Sequence, residues 1–188
     1  MNITINEVEN GIGLRVDGEI YLVSEYNHVK PGKGAAFVRI RLKNIKTDAV
    51  LERTYRTSET LDRVDLEQRK LQFLYRAGDS FHFMDQETYE EQVLNADLLG
   101  YAVDYLKENE DVVAIILDHK VLKIEIPNFI IATVVESEPG VKGDSSRSGT
   151  KPSKIDTGAT VQVPLFIEVG EVIKVDTRSG IYVERVKK

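Results

Sequence analysis

The sequence predicts an all-β protein made of three small β units in series, with one short helix in the middle unit. Three observations carry that prediction. Short runs of strand-forming residues recur along the chain, among them Ile20–Val23, Phe37–Leu42, Val112–Leu117 and Val172–Val175. Turn signals such as Asn10-Gly11, Asp17-Gly18 and Ala77-Gly78-Asp79 separate them. Convincing helical spacing occurs at one place only, where Leu98, Leu99, Ala102, Tyr105 and Leu106 follow a capping Asn95.

In order, residues 1–64 read as about five strands, the pattern of a small SH3-like barrel. Ile20–Val23 and Phe37–Leu42 flank the stretch Lys30-Pro31-Gly32-Lys33-Gly34-Ala35-Ala36, which predicts a tight hairpin tip. Pro31 fixes one φ angle, and Gly32 and Gly34 permit positive φ on either side of Lys33. In the strand that follows, Val38, Ile40 and Leu42 share one face, and Arg39, Arg41 and Lys43 share the other. Lys46-Thr47-Asp48 turns the chain into Val50–Tyr55, and the polar stretch Ser58–Val64 marks the first expected boundary. Residues 65–127 combine the hairpin Leu71–Tyr75 and Ser80–Met84, the helix ending near Lys107-Glu108-Asn109, and strands at Val112–Leu117 and Val121–Ile126. That mixture suits an OB-type barrel. Residues 128–188 form a third β unit, with strands at Ile131–Glu136, Thr160–Leu165, Val172–Val175 and Ile181–Val183. A long loop is expected from Glu138 to Thr157.

Composition narrows the function. The 188 residues are 41% hydrophobic and 30% charged, an ordinary globular balance. The absence of cysteine excludes disulfides and thiolate metal sites. Met1–Leu14 lacks the basic and apolar regions of a signal peptide, and the longest apolar runs fall far short of the ~18 residues a membrane span needs, so a cytoplasmic protein is expected. The net charge of −6 is unevenly spread. Residues 1–64 carry 10 Lys+Arg against 9 Asp+Glu, residues 65–128 carry 6 against 14, and residues 129–188 carry 9 against 8. An RNA partner would therefore meet the two ends rather than the acidic middle. His28, His82 and His119 have no metal-ligand spacing, and no nucleophile elbow, Walker motif or dinucleotide fingerprint is present. Acidic pairs such as Glu90-Glu91 and Glu110-Asp111 read as solvated element ends. No enzyme and no cofactor are expected.

The hairpin is the exception to this plainness. From Tyr26 to Thr47 there are six basic residues and no acidic one. Lys33 between two glycines suits insertion into a confined, negatively charged place. The plainer reading is a surface hairpin whose charges keep it soluble.

These residues have a further meaning. The P-G-K-G-A-A-F hairpin, the V-R-I-R-L-K strand after it, the acidic middle with F-L-Y-R-A-G-D and E-I-P, and the C-terminal run resemble the bacterial elongation factor P family. That run comprises Glu138–Asp144, Lys151-Pro152, Thr157-Gly158, Val161–Pro164 and Gly170. The resemblance covers the full length. Ser145, Ser153 and Asp156 depart mildly from the usual threonine, alanine and glutamate. The resemblance implies a KOW-type (SH3-like) barrel followed by two OB-fold barrels, in a molecule shaped roughly like transfer RNA. It implies a monomer that binds both ribosomal subunits beside the peptidyl-tRNA and relieves stalls at consecutive prolines. Lys33 would be the functional tip and the candidate site for a lysine-modifying enzyme. Pro31, Gly32 and Gly34 would set its geometry, and Lys30, Arg39, Arg41 and Lys43 would hold RNA phosphates. Gly143, Asp144 and Ser145 would lie at the small subunit. Tyr182 and Arg185 would approach the anticodon arm, although Tyr182 reads equally well as a strand aromatic packed in its own barrel.

Two other functions fit the sequence less well. A multi-barrel RNA-binding module without a role in peptide-bond formation would need stacking aromatics among its basic residues, yet aromatics are only 7% and the tyrosines concentrate in the acidic middle. A regulatory protein pairing through sheet edges has no specific support.

Overall fold

Alternation of apolar and polar side chains sets most of the strands. The computed structural model describes residues 1–30, 32, 35–138 and 149–186. Its elements fall into two compact units: Met1–Arg69 with Ala114–Lys123, and Lys70–Val113 with Ile124–Lys188.

In the first unit, β1 (Asn2–Thr4), β2 (Gly13–Val16), β3 (Glu19–Val29), β4 (Phe37–Asn44), β5 (Val50–Arg56) and β6 (Thr60–Val64) form a six-stranded sheet. Its order is β1-β6-β2-β3-β4-β5, antiparallel throughout. The inward rows supply the core: Leu14, Val38, Ile40 and Leu42 are wholly buried, and Val23 nearly so. Each such aliphatic side chain contributes about 1.5–3 kcal/mol on leaving water. Ile5, on a 3-10 turn over Ile5–Glu7, is buried in the same core. The stretch expected as a boundary, Ser58–Val64, instead contains β6, which lies between β1 and β2. Leu61 and Val64 face inward there, but the charges around them hide the alternation that their neighbours reveal.

Along the middle of the chain, β7 (Glu67–Ala77), β8 (Ser80–Asp85), β9 (Glu91–Asn95), β10 (Asp111–Leu117) and β11 (Lys120–Glu125) form a sheet ordered β11-β10-β7-β8-β9. Asp118 and His119 both have positive φ, at 49° and 64°, which closes the β10–β11 hairpin with a two-residue turn. Glu90-Glu91, read as an element end, leads into β9, whose exposed side holds Glu91, Val93 and Asn95. The expected helix is shorter than its spacing suggests. Asn95 does cap it, its side chain accepting from the Leu98 N–H at 3.1 Å. The α-helix α1 covers only Ala96–Leu99 and passes into a 3-10 turn over Gly100–Asp104. Gly100, at φ 54° and ψ −130°, breaks it.

The C-terminal strands are β12 (Phe129–Ser137), β13 (Thr150–Ile155), β14 (Thr160–Pro164), β15 (Val172–Asp176) and β16 (Ile181–Arg185). They close into a barrel ordered β12-β13-β14-β16-β15. The fully buried hydrophobic side chains of its core are aliphatic: Ile155, Val163, Ile167, Ile173 and Val175. The long loop expected from Glu138 to Thr157 contains β13, a full barrel strand. Its inward row is Lys151, Ser153 and Ile155, and Pro152 pairs opposite Gln162. A proline and two polar inward residues conceal a strand from any reading by alternation.

Among the described residues, no helix is long and apolar enough to cross a membrane, and no group of His, Asp and Glu could hold a metal ion.

Candidate nucleic-acid interface

The face that the sequence singles out is the outer row of β4. The register Arg39↔Asn27, Arg41↔Glu25 and Lys43↔Leu22 fixes it against β3, and Arg39↔Thr54, Arg41↔Glu52 and Lys43↔Val50 fix it against β5. Val38, Ile40 and Leu42 anchor the strand from beneath, so Arg39 and Arg41 must project outward. Pairing continues to Val29↔Phe37, which makes residues 30–36 the connection at the end of this ladder. The expected flank Ile20–Val23 is therefore too short, since β3 runs on through Tyr26 and His28 to Val29.

Lys30 is exposed and has no ion-pair partner among the described residues. A Cβ added at Gly32 would meet nothing within 4 Å, so space in the isolated protein does not demand glycine there. Pro31, Lys33 and Gly34 lie outside the described residues, as do Gly143, Asp144 and Ser145. Tyr182 and Arg185 lie on β16 of the second unit. Tyr182 is half-buried against the core of its own barrel, and Arg185 Nη1 donates to Glu171 Oε1 at 2.9 Å.

Counting along one strand concealed what the sheet places beside it. Arg39 Nε lies 3.2 Å from Glu52 Oε1, Arg41 Nη1 lies 3.4 Å from Glu25 Oε2, and Lys43 Nζ lies 2.9 Å from Asp48 Oδ1. Each cation of the β4 row thus has a carboxylate beside it, and the row is not the bare basic stripe that the Tyr26–Thr47 count implied. The arginine pairs are about half exposed on both sides. Pairs of this kind contribute about 0.2–1 kcal/mol each, little enough for a phosphate to replace the carboxylate.

Asp48 differs. It bonds Lys123 as well as Lys43, and Lys123 is only 13% exposed. Burial raises the Asp48 pKa, but the bonds from Lys123 and Lys43 outweigh it and hold the carboxyl below its usual range. The turn before it is built by buried Asn44, whose Oδ1 accepts from the Lys46 and Thr47 N–H groups at 2.9 and 3.0 Å. Neither Asp48 nor Lys123 stands out in sequence, because 75 positions separate them.

Comparison with known proteins gives this arrangement its class. Residues 4–61 match the model of the elongation factor P KOW-like domain, 66–124 its OB domain and 130–185 its C-terminal domain. A KOW-like module followed by an OB domain and an OB-sized closed barrel defines a multi-barrel translation factor. The chain belongs to the elongation factor P family. It is 48% identical over 183 residues to elongation factor P of Moorella thermoacetica, covering 97% of this chain and 99% of that one. It is 49% identical over 183 residues to elongation factor P of Synechococcus sp. strain JA-3-3Ab, with the same coverage. A translation initiation factor eIF-5A family protein from Naegleria fowleri shares the fold with a TM-score of 0.50 at 14% identity, over 67% of this chain and 98% of that one.

Proposed function

We propose that this protein binds the ribosome beside the peptidyl-tRNA and stimulates peptide-bond formation where consecutive prolines stall it. Family membership supports this, and one observation carries it to particular residues: the β3–β4 ladder ends in the segment that holds Lys33, and its outer row supplies Arg39, Arg41 and Lys43. In this reading those three residues and Lys30 grip RNA phosphates while Lys33 reaches toward the peptidyl-transferase centre, bare or extended by a lysine-modifying enzyme. Gly32 and Gly34 flank Lys33 without side-chain bulk of their own, and Pro31 precedes them. Gly143, Asp144 and Ser145 meet the small subunit, and Tyr182 and Arg185 approach the anticodon arm. The three modules are 1–64, 65–127 and 128–188, acting as a cytoplasmic monomer that contacts both subunits.

The factor needs no acid, base or metal of its own. Proline is a poor nucleophile and a poorly oriented donor, so holding the peptidyl-tRNA in a reactive pose lowers the barrier through orientation alone. The test is a translation assay on a reporter with three consecutive proline codons. Added protein relieves the stall, and Lys33→Ala abolishes the relief. Relief that survives Lys33→Ala, or no relief from the parent protein, overturns the proposal. An intact mass from the native host, localised to Lys33, identifies any attached group.

A further inference from the structure

The acidic residues beside β4 are placed by a specific backbone device. The β3–β4 register shifts between Val23 and Glu25, a β-bulge that sets Glu25 directly opposite Arg41. The Ser24 hydroxyl closes the bulge by donating to the Arg41 carbonyl at 3.1 Å. If the same sequence paired without the bulge, Ser24 would face Arg41 and Glu25 would fall opposite the buried Ile40, so the carboxylate would leave the outer row. On the other side, Glu52 of β5 lies directly opposite Arg41 and bonds Arg39 diagonally. Glu25, Arg41, Glu52 and Arg39 therefore form one alternating-charge cluster across three strands.

From this we infer that Glu25 and Glu52 are specificity-determining residues of the RNA face, an inference that rests on the reading of β4 as that face. The carboxylates occupy Arg39 and Arg41 in the free protein. A polyanion that offers one or two phosphates must displace them for little return, and it binds weakly. A site that presents several correctly spaced phosphates at once displaces both. The ligand class is the phosphodiester backbone of folded RNA, and the carboxylates hold off the many RNA surfaces that are not the target. This matters for a protein whose tip is needed at one place among abundant RNA, where non-specific contacts are made almost entirely by free cations. Both pairs are half-exposed, so a phosphate can reach the guanidinium groups without unfolding anything.

The test measures binding of the full-length protein to a generic RNA duplex of about 20 base pairs, across salt concentrations, and to ribosomes. Three double variants are compared with the parent: E25Q/E52Q, R39Q/R41Q, and E87Q/E90Q. The last changes net charge equally at exposed carboxylates of the middle sheet region. E25Q/E52Q is expected to tighten binding about three- to tenfold at low salt, with a steeper salt slope, and to lose the gain by about 0.5 M. E87Q/E90Q is expected to leave it nearly unchanged. An equal rise in both variants assigns the effect to net charge and overturns the inference. So does unchanged binding by E25Q/E52Q while R39Q/R41Q loses ribosome binding. If R39Q/R41Q binds ribosomes as the parent does, β4 is not the RNA face, and the inference falls together with the reading beneath it. Melting midpoints of all variants check that the fold is intact.

Discussion

Asp48 has a left-handed backbone at φ 59° and a carboxylate shared by Lys43 and Lys123. Asparagine tolerates that backbone, so Asp48→Asn removes the charge without adding strain. It leaves the largely buried Lys123 ammonium facing a neutral group, and we expect a loss of about 1–2 kcal/mol in chemical denaturation. The pH dependence has a definite sign. The folded carboxyl titrates below its ordinary value of 3.8, so its contribution is complete above that value and disappears as pH falls through the lower, folded one. The gap between parent and Asp48→Asn should stay constant near neutrality and close only in strong acid. A gap that closes between pH 7 and 5 would reject this account. Tyr55 makes the opposite case. Its hydroxyl is buried and meets no partner at full hydrogen-bond geometry among the described residues, and burial raises its pKa against the opposing pull of the nearby Arg53 guanidinium. Tyr55→Phe should leave stability unchanged or raise it by up to about 1 kcal/mol, whereas a clear loss in thermal melts would reveal a bond. Residues of this kind explain why the site was only half legible. Arg39, Arg41 and Lys43 declare themselves by period-two spacing within one strand. Glu25, Asp48, Glu52 and Lys123 matter through register, a bulge and a distant turn, none of which composition encodes.

At the scale of elements, strands with clean alternation were legible and strands with polar inward rows were not. The sequence pattern of β4 is nearly ideal, and the structure keeps it. In β6 only Leu61 and Val64 mark the inward face, and in β13 the inward row contains Lys151 and Ser153. There the partner strands supply the missing signal: Ser153 pairs with Val161 on one side and Ser137 on the other, and its hydroxyl lies 2.8 Å from that of Ser137. Helical spacing from Leu98 to Leu106 overstated α1 because burial needs only contact, which a 3-10 turn also provides: Leu99, Ala102 and Leu106 are all buried. The interruption is Gly100, whose φ of 54° and ψ of −130° lie in a region essentially reserved for glycine. Nothing lies within 4 Å of a Cβ added there, so Gly100→Ala isolates the backbone term. We expect about 1–3 kcal/mol of destabilisation by denaturant titration. A neutral result would mean that the α-helix can extend past Leu99 as the spacing suggested.

At the scale of the whole molecule, the second unit joins two segments that the sequence separates by a clear boundary at Pro127-Asn128. Their union depends on a few side chains. Tyr105 packs against the aliphatic core of the C-terminal barrel. The Thr157 hydroxyl donates to the Asp104 carbonyl at 2.7 Å, and Lys107 Nζ donates to Asp156 at 2.9 Å. Thr177 Oγ1 reaches the Pro127 carbonyl at 2.7 Å. None of these contacts has a local sequence signature, since each joins residues about 50 positions apart or more. Gly180 gives the means to test them. It has φ 66°, and a Cβ placed on it would come 2.9 Å from the Tyr105 hydroxyl. Gly180→Ala therefore combines a backbone penalty of about 1 kcal/mol with a steric one. Tyr105→Phe removes the atom that would be struck while keeping the ring against the barrel. The double variant should recover the steric part and leave the backbone part, a coupling of at least about 0.5 kcal/mol in a double-mutant cycle. Native-state hydrogen exchange should show the same recovery in both β15–β16 and the 3-10 turn over Gly100–Asp104, because the two would open together. Strict additivity, with recovery in neither segment, would mean that Tyr105 does not sit on the C-terminal barrel in solution and that the two segments of this unit unfold independently.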